Sequence, residues 1–366
     1  MDEVVRSFGV ALAKGCKPLR TIVFASWDGE EYGLIGSTER DEKHVAWLKH
    51  SAVAYLNVDV GAVGPDFGAA AAPLLMETLV ETTKLVISPN QTVVGQTVHD
   101  EWEARTNLRI NTIGSGSDFT AFQDFAGIPC VDMTFKNGRD SPVYHYHSNY
   151  DSFSWMEKYG DPGIKYHVTM ARLFSLLAAR IAEREVIQFS AGHYAEALVT
   201  YLHTVEEMAR GNGNKTFSGF TAAEADGITN DAKGVGLIRL AINNFTVAAQ
   251  MLDYEAEVLQ KQVDSTHTPW WRWWDRVKLT LKLRHINDKY KHLERQFLCE
   301  EGLDNRSWFK HVVFAPGRHT GYAGATFPGL VESVEDGNKE SFQRWSQTIA
   351  RQIDEATKML SGTEKS

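Results

Sequence analysis

The stretch "RTIVFASWDGEEYG" (residues 20–33) joins an apolar run to a turn that carries two adjacent acids. The run from Thr21 to Ser26 is rich in β-branched and aromatic residues, which predicts a buried strand. Glu30 and Glu31 follow directly after this run. An acidic pair in a turn is ordinarily solvated, so a functional interpretation of these two carboxylates needs support from the rest of the chain.

The composition is that of an ordinary globular protein. The chain has 366 residues, of which 43% are hydrophobic and 23% charged, and this length allows two domains with sizeable cores. A net charge of −9 argues against a nucleic-acid partner, which would favour a basic face. No apolar run approaches the roughly 18–20 residues needed to span a bilayer, and the first residues do not have the pattern of a signal peptide. We therefore expect no membrane span.

Strand and helix patterns alternate over residues 1–185. The predicted strands are 20–27, 52–59 and 128–135, and the predicted helices include 39–49, 73–86, 117–127 and 161–183. This alternation predicts an α/β domain with a mostly parallel sheet and flanking helices.

Strand patterns nearly vanish after residue 190. Helical patterns occupy 191–210, 235–262, 277–299 and 340–360, which predicts a second, all-α domain over residues 190–360. The segment "TPWWRWWDR" (268–276) holds four tryptophans in five positions. Aromatic side chains dominate buried contacts, so this cluster is interpreted as core or subunit interface rather than as a ligand site.

Acidic residues follow two of the predicted strands. Glu30 and Glu31 come after the first strand, and Asp59 ends the second. Functional groups collect beyond the carboxyl ends of strands in open α/β sheets. Adjacent side chains diverge, so one glutamate could bind a metal while the other faces a metal-bound water, which suits hydrolysis better than a glycosidase pair. An imidazole ligand could come from His145 or His147, and spacing leaves either possible.

Five motifs make a family resemblance specific. They are "RTIVFASWDGEEYGLIGSTE" (20–39), "AYLNVD" (54–59), "GSGSDFTAF" (114–122), "YHSNYD" (146–151) and "FAPGRHTGYAGATFPGL" (314–330). In order and spacing they resemble the glutamate carboxypeptidase II and transferrin receptor family of di-zinc exopeptidases. The resemblance covers nearly all of the chain, with 1–185 as the peptidase domain and 190–360 as the helical dimerisation domain.

The resemblance implies a role for each matching residue. Glu30 matches the general base, Glu31 and His147 match ligands of one zinc ion, and Asp59 matches a ligand of the other, whereas His145 has no counterpart. The residues that match the lining of the substrate pocket are Gly116, Ser117, Tyr146 and Tyr322. The resemblance also implies two zinc ions, a peptide substrate, a homodimer formed by the helical domain, and a place in the secretory or vacuolar system or at the cell surface.

Two departures from the family pattern change what we expect. The family's upstream histidine and bridging aspartate have no match, so the zinc exopeptidase fold is expected to be incomplete, as in an N-terminally truncated member, and activity impaired. The cations that glutamate-selective members use are also missing, since the third strand reads "CVDMTF" (130–135) and Gly321 precedes Tyr322. Glutamate selectivity is therefore not expected.

The alternative function is a non-catalytic interaction protein of the transferrin receptor type. The joint presence of Glu30, Glu31, Asp59 and His147 favours the enzyme, because a binding protein needs no such set. Four N-x-S/T sequons exceed the roughly two expected by chance and indicate a glycoprotein. They begin at Asn90, Asn214, Asn244 and Asn305.

Overall fold

The computed structural model describes residues 1–211, 227, 234–265, 273–319, 321 and 323–362. The described chain forms two compact units. Unit 1 comprises Met1–Ser26, Leu56–Asn111 and Cys130–Phe189, and unit 2 comprises Trp27–Tyr55, Thr112–Pro129 and Ser190–Ser366. Each unit is built from separate stretches of the chain. The predicted division near residues 185–190 remains a prediction.

The helices and strands have the following bounds. The helices are α1 (Asp2–Ala13), α2 (Ile35–Ser51), α3 (Met76–Thr83), α4 (Val98–Thr106), α5 (Phe153–Trp155), α6 (Lys165–Glu183), α7 (Ala191–Ala209), α8 (Val235–Ser265), α9 (Trp273–Leu293), α10 (Pro328–Glu335) and α11 (Lys339–Ser361). The strands are β1 (Tyr55–Asn57), β2 (Asp66–Ala71), β3 (Ile110–Asn111), β4 (Cys130–Lys136), β5 (Phe314–Pro316) and β6 (Gly324–Thr326). Tight 3-10 turns occupy Glu30–Tyr32, Pro73–Leu75 and Glu294–Phe297, and wider π-helical turns occupy Ala121–Phe125 and Met156–Gly160.

Unit 1 is built on a four-stranded sheet in the order β1-β4-β2-β3. Strand β2 pairs antiparallel with β4, where Ala69 faces Met133, and parallel with β3, where Ala69 faces Ile110. Helix α6 packs against β4 and α3, and its side chains Leu173 and Leu177 are fully buried. The predicted α/β class is confirmed, with a sheet that is mixed in strand direction.

The segment 21–26 differs from its prediction as a buried strand. It runs without regular secondary structure, and within the described chain no strand pairs with it. Its side chains are also poorly covered, since Val23 is 66% and Phe24 is 37% exposed. A strand requires a hydrogen-bonded neighbour as well as suitable residues, and the described chain places none beside this segment.

Unit 2 is mainly helical, with the small β5–β6 hairpin added. Helix α8 is its central helix and packs against α7 and α11, with Phe245, Leu252 and Leu259 on the buried face. Helix α11 buries Trp345 and Ile349, which the sequence pattern places on one stripe. The predicted helical region after the α/β region is confirmed.

The outer face of α8 carries a row of exposed apolar residues among polar ones. Its exposed apolar residues are Leu240, Val247, Met251, Tyr254 and Val258. We call these five residues the α8 stripe, because their spacing places them on one side of the helix. Of the described helices, α8 is also the one that is long and apolar enough to cross a membrane by length and composition, and 44% of its most apolar 18-residue stretch is buried. The core helix of a folded domain can have the same length and composition, and the inner face of α8 is buried in the core of unit 2.

The tryptophan-rich segment lies largely outside the described residues. Residues 266–272 are not among the described residues, so the interpretation of Trp270 and Trp271 as core or interface remains a prediction. Trp274, in the first turn of α9, is 61% exposed.

Candidate functional site

Glu30 and Glu31 lie on a tight turn whose backbone is fixed by glycines. Gly29 and Gly33 flank the turn with φ values of 68° and 111°, a region that side-chain-bearing residues rarely adopt. Within the turn, the Leu34 N–H donates to the Glu30 carbonyl at 2.8 Å. Glu30 is half-buried and Glu31 is exposed. The two carboxylates therefore have different surroundings although they are neighbours in the chain.

The exit from the turn into α2 requires a close backbone approach. The Gly36 N–H donates to the Asp28 carbonyl at 3.0 Å, and a Cβ atom at Gly36 would overlap the Asp28 backbone. Only glycine fits at position 36. This contact and the two flanking glycines fix the direction in which the acidic pair leaves the backbone.

An aromatic cluster anchors the start of the turn. The Trp27 indole Nε1–H donates to the Tyr55 hydroxyl at 2.9 Å, and the Tyr55 ring stacks on Phe122 with centroids 3.9 Å apart. The Trp27 and Phe122 rings are 6.0 Å apart. Aromatic contacts of this kind add stability beyond the area they bury, so the acidic turn is held on a rigid base.

The predicted pocket residues of unit 2 lie beside the β5–β6 hairpin. The backbone at Gly114 passes so close to Gly324 and Ala315 that a Cβ atom would not fit there. The Ser115 hydroxyl donates to the Gly321 carbonyl. Gly116, with φ 105°, and the buried Ser117 follow directly. Tyr322 lies outside the described residues, and its role remains a prediction.

Asp59 lies in unit 1, two residues after β1 ends, and is exposed. Close to it, the Asn57 side-chain amide donates to Asp132 Oδ1 at 2.8 Å. Burial raises the pKa of Asp132 to about 6, and the negative charge of Asp59 adds to this increase. Asp132 is a residue that the sequence reasoning did not select, although an aspartate in the middle of the apolar strand "CVDMTF" is an unusual feature.

His147 lies in an exposed loop that is turned rather than extended. The Ser148 N–H donates to the His145 carbonyl at 3.2 Å, and the Asp151 N–H donates to the Ser148 carbonyl at 3.1 Å. His147 has φ 54°, and its ring stacks on Tyr146 at 3.8 Å. The spacing leaves His145 and His147 equally possible as ligands if the loop is extended, and the loop is not extended at these residues. The turns arise because Ser148 and Asp151 both close hydrogen bonds within the loop.

The predicted zinc ligands do not form a metal site within either unit. Glu31 belongs to unit 2, whereas Asp59 and His147 belong to unit 1. Taken by itself, neither unit brings together three His, Cys, Asp or Glu side chains that could hold a metal ion, over the ranges that the structure describes. Glu31, Asp59 and His147 are carboxylate and imidazole donors of the kinds that bind zinc, and we assign no chemical step to an ion.

Two known families match successive regions of the chain. A profile of Peptidase family M28 matches residues 5–161, and a profile of the Transferrin receptor-like dimerisation domain matches residues 235–361. The fold and these matches define an M28 peptidase region joined to a dimerisation domain.

Relatives match the chain over almost its whole length. It is 36% identical over 362 residues to a protein of Arthroderma benhamiae named probable glutamate carboxypeptidase, covering 99% of this chain and 46% of the relative. It is 29% identical over 377 residues to aminopeptidase NAALADL1 of Mus musculus, covering 98% and 46%. It is also 29% identical over 360 residues to vacuolar protein sorting-associated protein 70 of Saccharomyces cerevisiae, covering 98% and 42%.

The chain belongs to the glutamate carboxypeptidase II and transferrin receptor family, as the five motifs predict. It spans about half the length of the curated relatives it matches.

Proposed function

We propose that this chain is part of a zinc-dependent exopeptidase that hydrolyses peptides, with Glu30 as the general base. The observation that carries the proposal is the fixed turn that holds Glu30 half-buried beside the exposed Glu31. A carboxylate accepts a proton efficiently from a reacting water only when its position is held by its surroundings. Gly29, Gly33 and the Gly36–Asp28 contact provide this constraint.

The other site residues are proposed on the same resemblance. Glu31, Asp59 and His147 are the zinc ligands that this chain contributes, to two ions in the family. The residues that line the peptide pocket are Gly116, Ser117, Tyr146 and Tyr322. Support for the first two is their fixed backbone beside the β5–β6 hairpin.

We propose that the 366 residues by themselves bind zinc weakly and hydrolyse little peptide. Metal affinity depends on a filled set of ligands, and neither described unit gathers three donors. The aspartate that bridges the two ions in the family also has no match in this sequence.

We propose that the peptidase is not selective for substrates with a glutamate side chain. Glutamate-selective members use arginines beside the strand that corresponds to β4, whereas β4 here carries Asp132, and a carboxylate repels an acidic substrate side chain. The relatives include a probable glutamate carboxypeptidase and an aminopeptidase by name, so the family itself leaves the substrate open.

We propose that the chain forms a homodimer through its helical region. The α8 stripe presents apolar side chains to solvent within the region that matches the dimerisation domain. A two-fold interface brings such a patch against its own copy.

A secretory or vacuolar location and glycosylation are proposed together. One relative is named for vacuolar protein sorting. The sequon residues Asn90 and Asn305 are exposed and are the proposed glycosylation sites, whereas Asn214 lies outside the described residues. Asn244 lies among the residues of the α8 stripe, where a glycan would oppose the proposed interface, so we do not propose it as a glycosylation site. Glycans are attached in the secretory pathway, so their detection on the natural protein would support both statements.

The alternative is an interaction protein that has kept the fold and lost the chemistry. Peptidase assays on the natural protein that contains these 366 residues, with and without added zinc, separate the two functions. Turnover that depends on Glu30 supports the enzyme, whereas metal-independent dimerisation without turnover supports the interaction protein.

A further inference from the structure

Two aspartates in the interior of unit 2 lack hydrogen-bond partners. Asp41, on α2, and Asp124, on the π-helical turn, are both 0% exposed. Among the described residues, neither oxygen of either carboxyl group has a hydrogen-bond partner. Buried carboxylates are ordinarily paired or hydrogen-bonded, because leaving an ion unpaired in the interior is very costly.

The backbone around Asp124 is tied down while its side chain is not. The Asp124 carbonyl accepts the N–H groups of Lys310 and His311 at 2.9 and 3.0 Å. Its carboxyl group faces two charged groups, Arg306 and Glu294. The Arg306 guanidinium donates through its terminal nitrogens to Glu332 and to the Pro316 carbonyl. Its buried Nε has no hydrogen-bond partner in the described chain, so the charge of Arg306 lies near Asp124 without a hydrogen bond between them.

The neighbouring Glu294 is hydrogen-bonded through one of its two carboxylate oxygens, and its Oε2 has no partner in the described chain. Its Oε1 accepts from the Gln123 amide at 2.7 Å and from the Tyr194 hydroxyl at 3.0 Å. The same oxygen is 3.0 Å from His311 Nε2. Because His311 Nδ1 accepts two backbone N–H groups, Nε2 is the nitrogen that carries the proton. This network engages one oxygen of Glu294 and leaves Asp124 outside it.

Asp41 has different charged neighbours from Asp124, and its carboxyl group likewise has no hydrogen-bond partner in the described chain. Arg40 lies beside it on α2, and Asp118 faces it from the segment before the π-helical turn. Burial raises the pKa of Asp41 to about 8, Arg40 opposes this increase, and the charge of Asp118 adds to it. Burial also raises the pKa of Asp124 well above its ordinary value, with Arg306 opposing and Glu294 adding.

We propose that Asp41 and Asp124 are neutral carboxylic acids in the folded protein. We propose further that the protons they hold make unit 2 more stable in mildly acidic solution than at neutral pH. A protonated carboxyl group avoids the cost of an unpaired buried charge.

The direction in which stability changes with pH follows from the number of protons bound by the folded and by the unfolded chain. The unfolded chain ionises Asp41 near pH 3.8, whereas the folded chain retains this proton up to about pH 8. Between these values the folded state binds more protons, so stability falls as pH rises through this window. Below pH 3.8 the group is neutral in both states and its contribution to stability is fully present. Asp124 acts in the same direction.

The test is thermal unfolding of the full chain between about pH 5 and pH 8. We expect the melting temperature of the wild type to fall by about 5 °C or more over this range. The variants Asp41→Asn and Asp124→Asn keep the shape of the side chain and cannot ionise. Each should show a shallower pH dependence, whatever its absolute stability.

Asp336→Asn is the matched control. The hydrogen bond from Arg318 lowers the pKa of Asp336, so its stabilising effect is lost only in acid, below the range tested. The melting temperature of this variant should change with pH in parallel with that of the wild type from about pH 5 to pH 8. Parallel curves for Asp41→Asn and Asp124→Asn as well would overturn the proposal.

A second measurement on the wild type covers the case in which a variant does not fold. Unfolding near pH 7 should release about two protons to the buffer, one from each aspartate, which calorimetry in buffers of different ionisation enthalpy detects. Proton uptake on unfolding, or none exchanged, contradicts the proposal.

Discussion

The Gly36 N–H lies 3.0 Å from the Asp28 carbonyl oxygen, and the two backbones approach so closely that no side chain fits at position 36. This contact closes the turn that carries Glu30 and Glu31. It connects a local sequence feature, the glycine at position 36, to the placement of Glu30, the proposed base.

Gly36→Ala should therefore destabilise unit 2. The added Cβ atom forces the backbone apart, and overpacking of this kind costs about 1–3 kcal/mol. Gly9→Ala is the matched control, because a Cβ atom at Gly9 in α1 meets no neighbour within 4 Å. Alanine in a helix is favoured over glycine by about 0.5–1 kcal/mol, so this control should be neutral or stabilising. Denaturant unfolding of both variants is the measurement, and equal stabilities would contradict the steric account.

A polypeptide of residues 1–366 should hold fewer than about one zinc ion per chain after dialysis. The reason is that its proposed donors form no three-ligand group within either described unit. Metal analysis of the purified protein is the measurement. Two tightly held zinc ions per chain would show that the donor set is sufficient and that our interpretation of it is wrong.

Met251→Glu should weaken the homodimer. Met251 is 60% exposed in the middle of the α8 stripe. At a two-fold interface the introduced glutamate would be buried close to the same glutamate of the second copy, and the two charges would repel each other. Sedimentation velocity at micromolar concentration should show a shift toward monomer. Val168→Glu is the control, since Val168 is an exposed apolar residue of α6 in unit 1. If both variants remain dimeric, the interface lies elsewhere.

Asp132→Asn should improve the hydrolysis of acidic peptides by the natural protein that contains these residues. Removing a negative charge beside Asp59 lowers the repulsion of an acidic side chain, with an expected gain of about 3- to 10-fold in kcat/KM. Asp140→Asn, in an exposed loop, is the control and should have no effect. A preference of the wild type for glutamate over neutral residues would contradict the proposed peptide class.

The sequence predicts the class of the fold because periodicity reports which faces are buried. Helix α8 and helix α11 follow their patterns, and β4 follows its apolar run. Segment 21–26 has the residues of a strand and lacks a neighbour, and pairing is not encoded in the segment itself. The motifs likewise identify Glu30, but they cannot reveal that Asp41 and Asp124 are buried without partners, because partners come from distant parts of the chain.

The most direct test of the central claim is the comparison of Glu30→Gln with wild type in the natural protein that contains these 366 residues. Glutamine keeps the shape of the side chain and cannot accept a proton, so turnover should fall by about 10²–10⁴-fold while bound zinc is retained. Glu31→Ala and His147→Ala should instead lose zinc, and His145→Ala should keep it. Near-normal turnover by Glu30→Gln would contradict the assignment of Glu30 as the base.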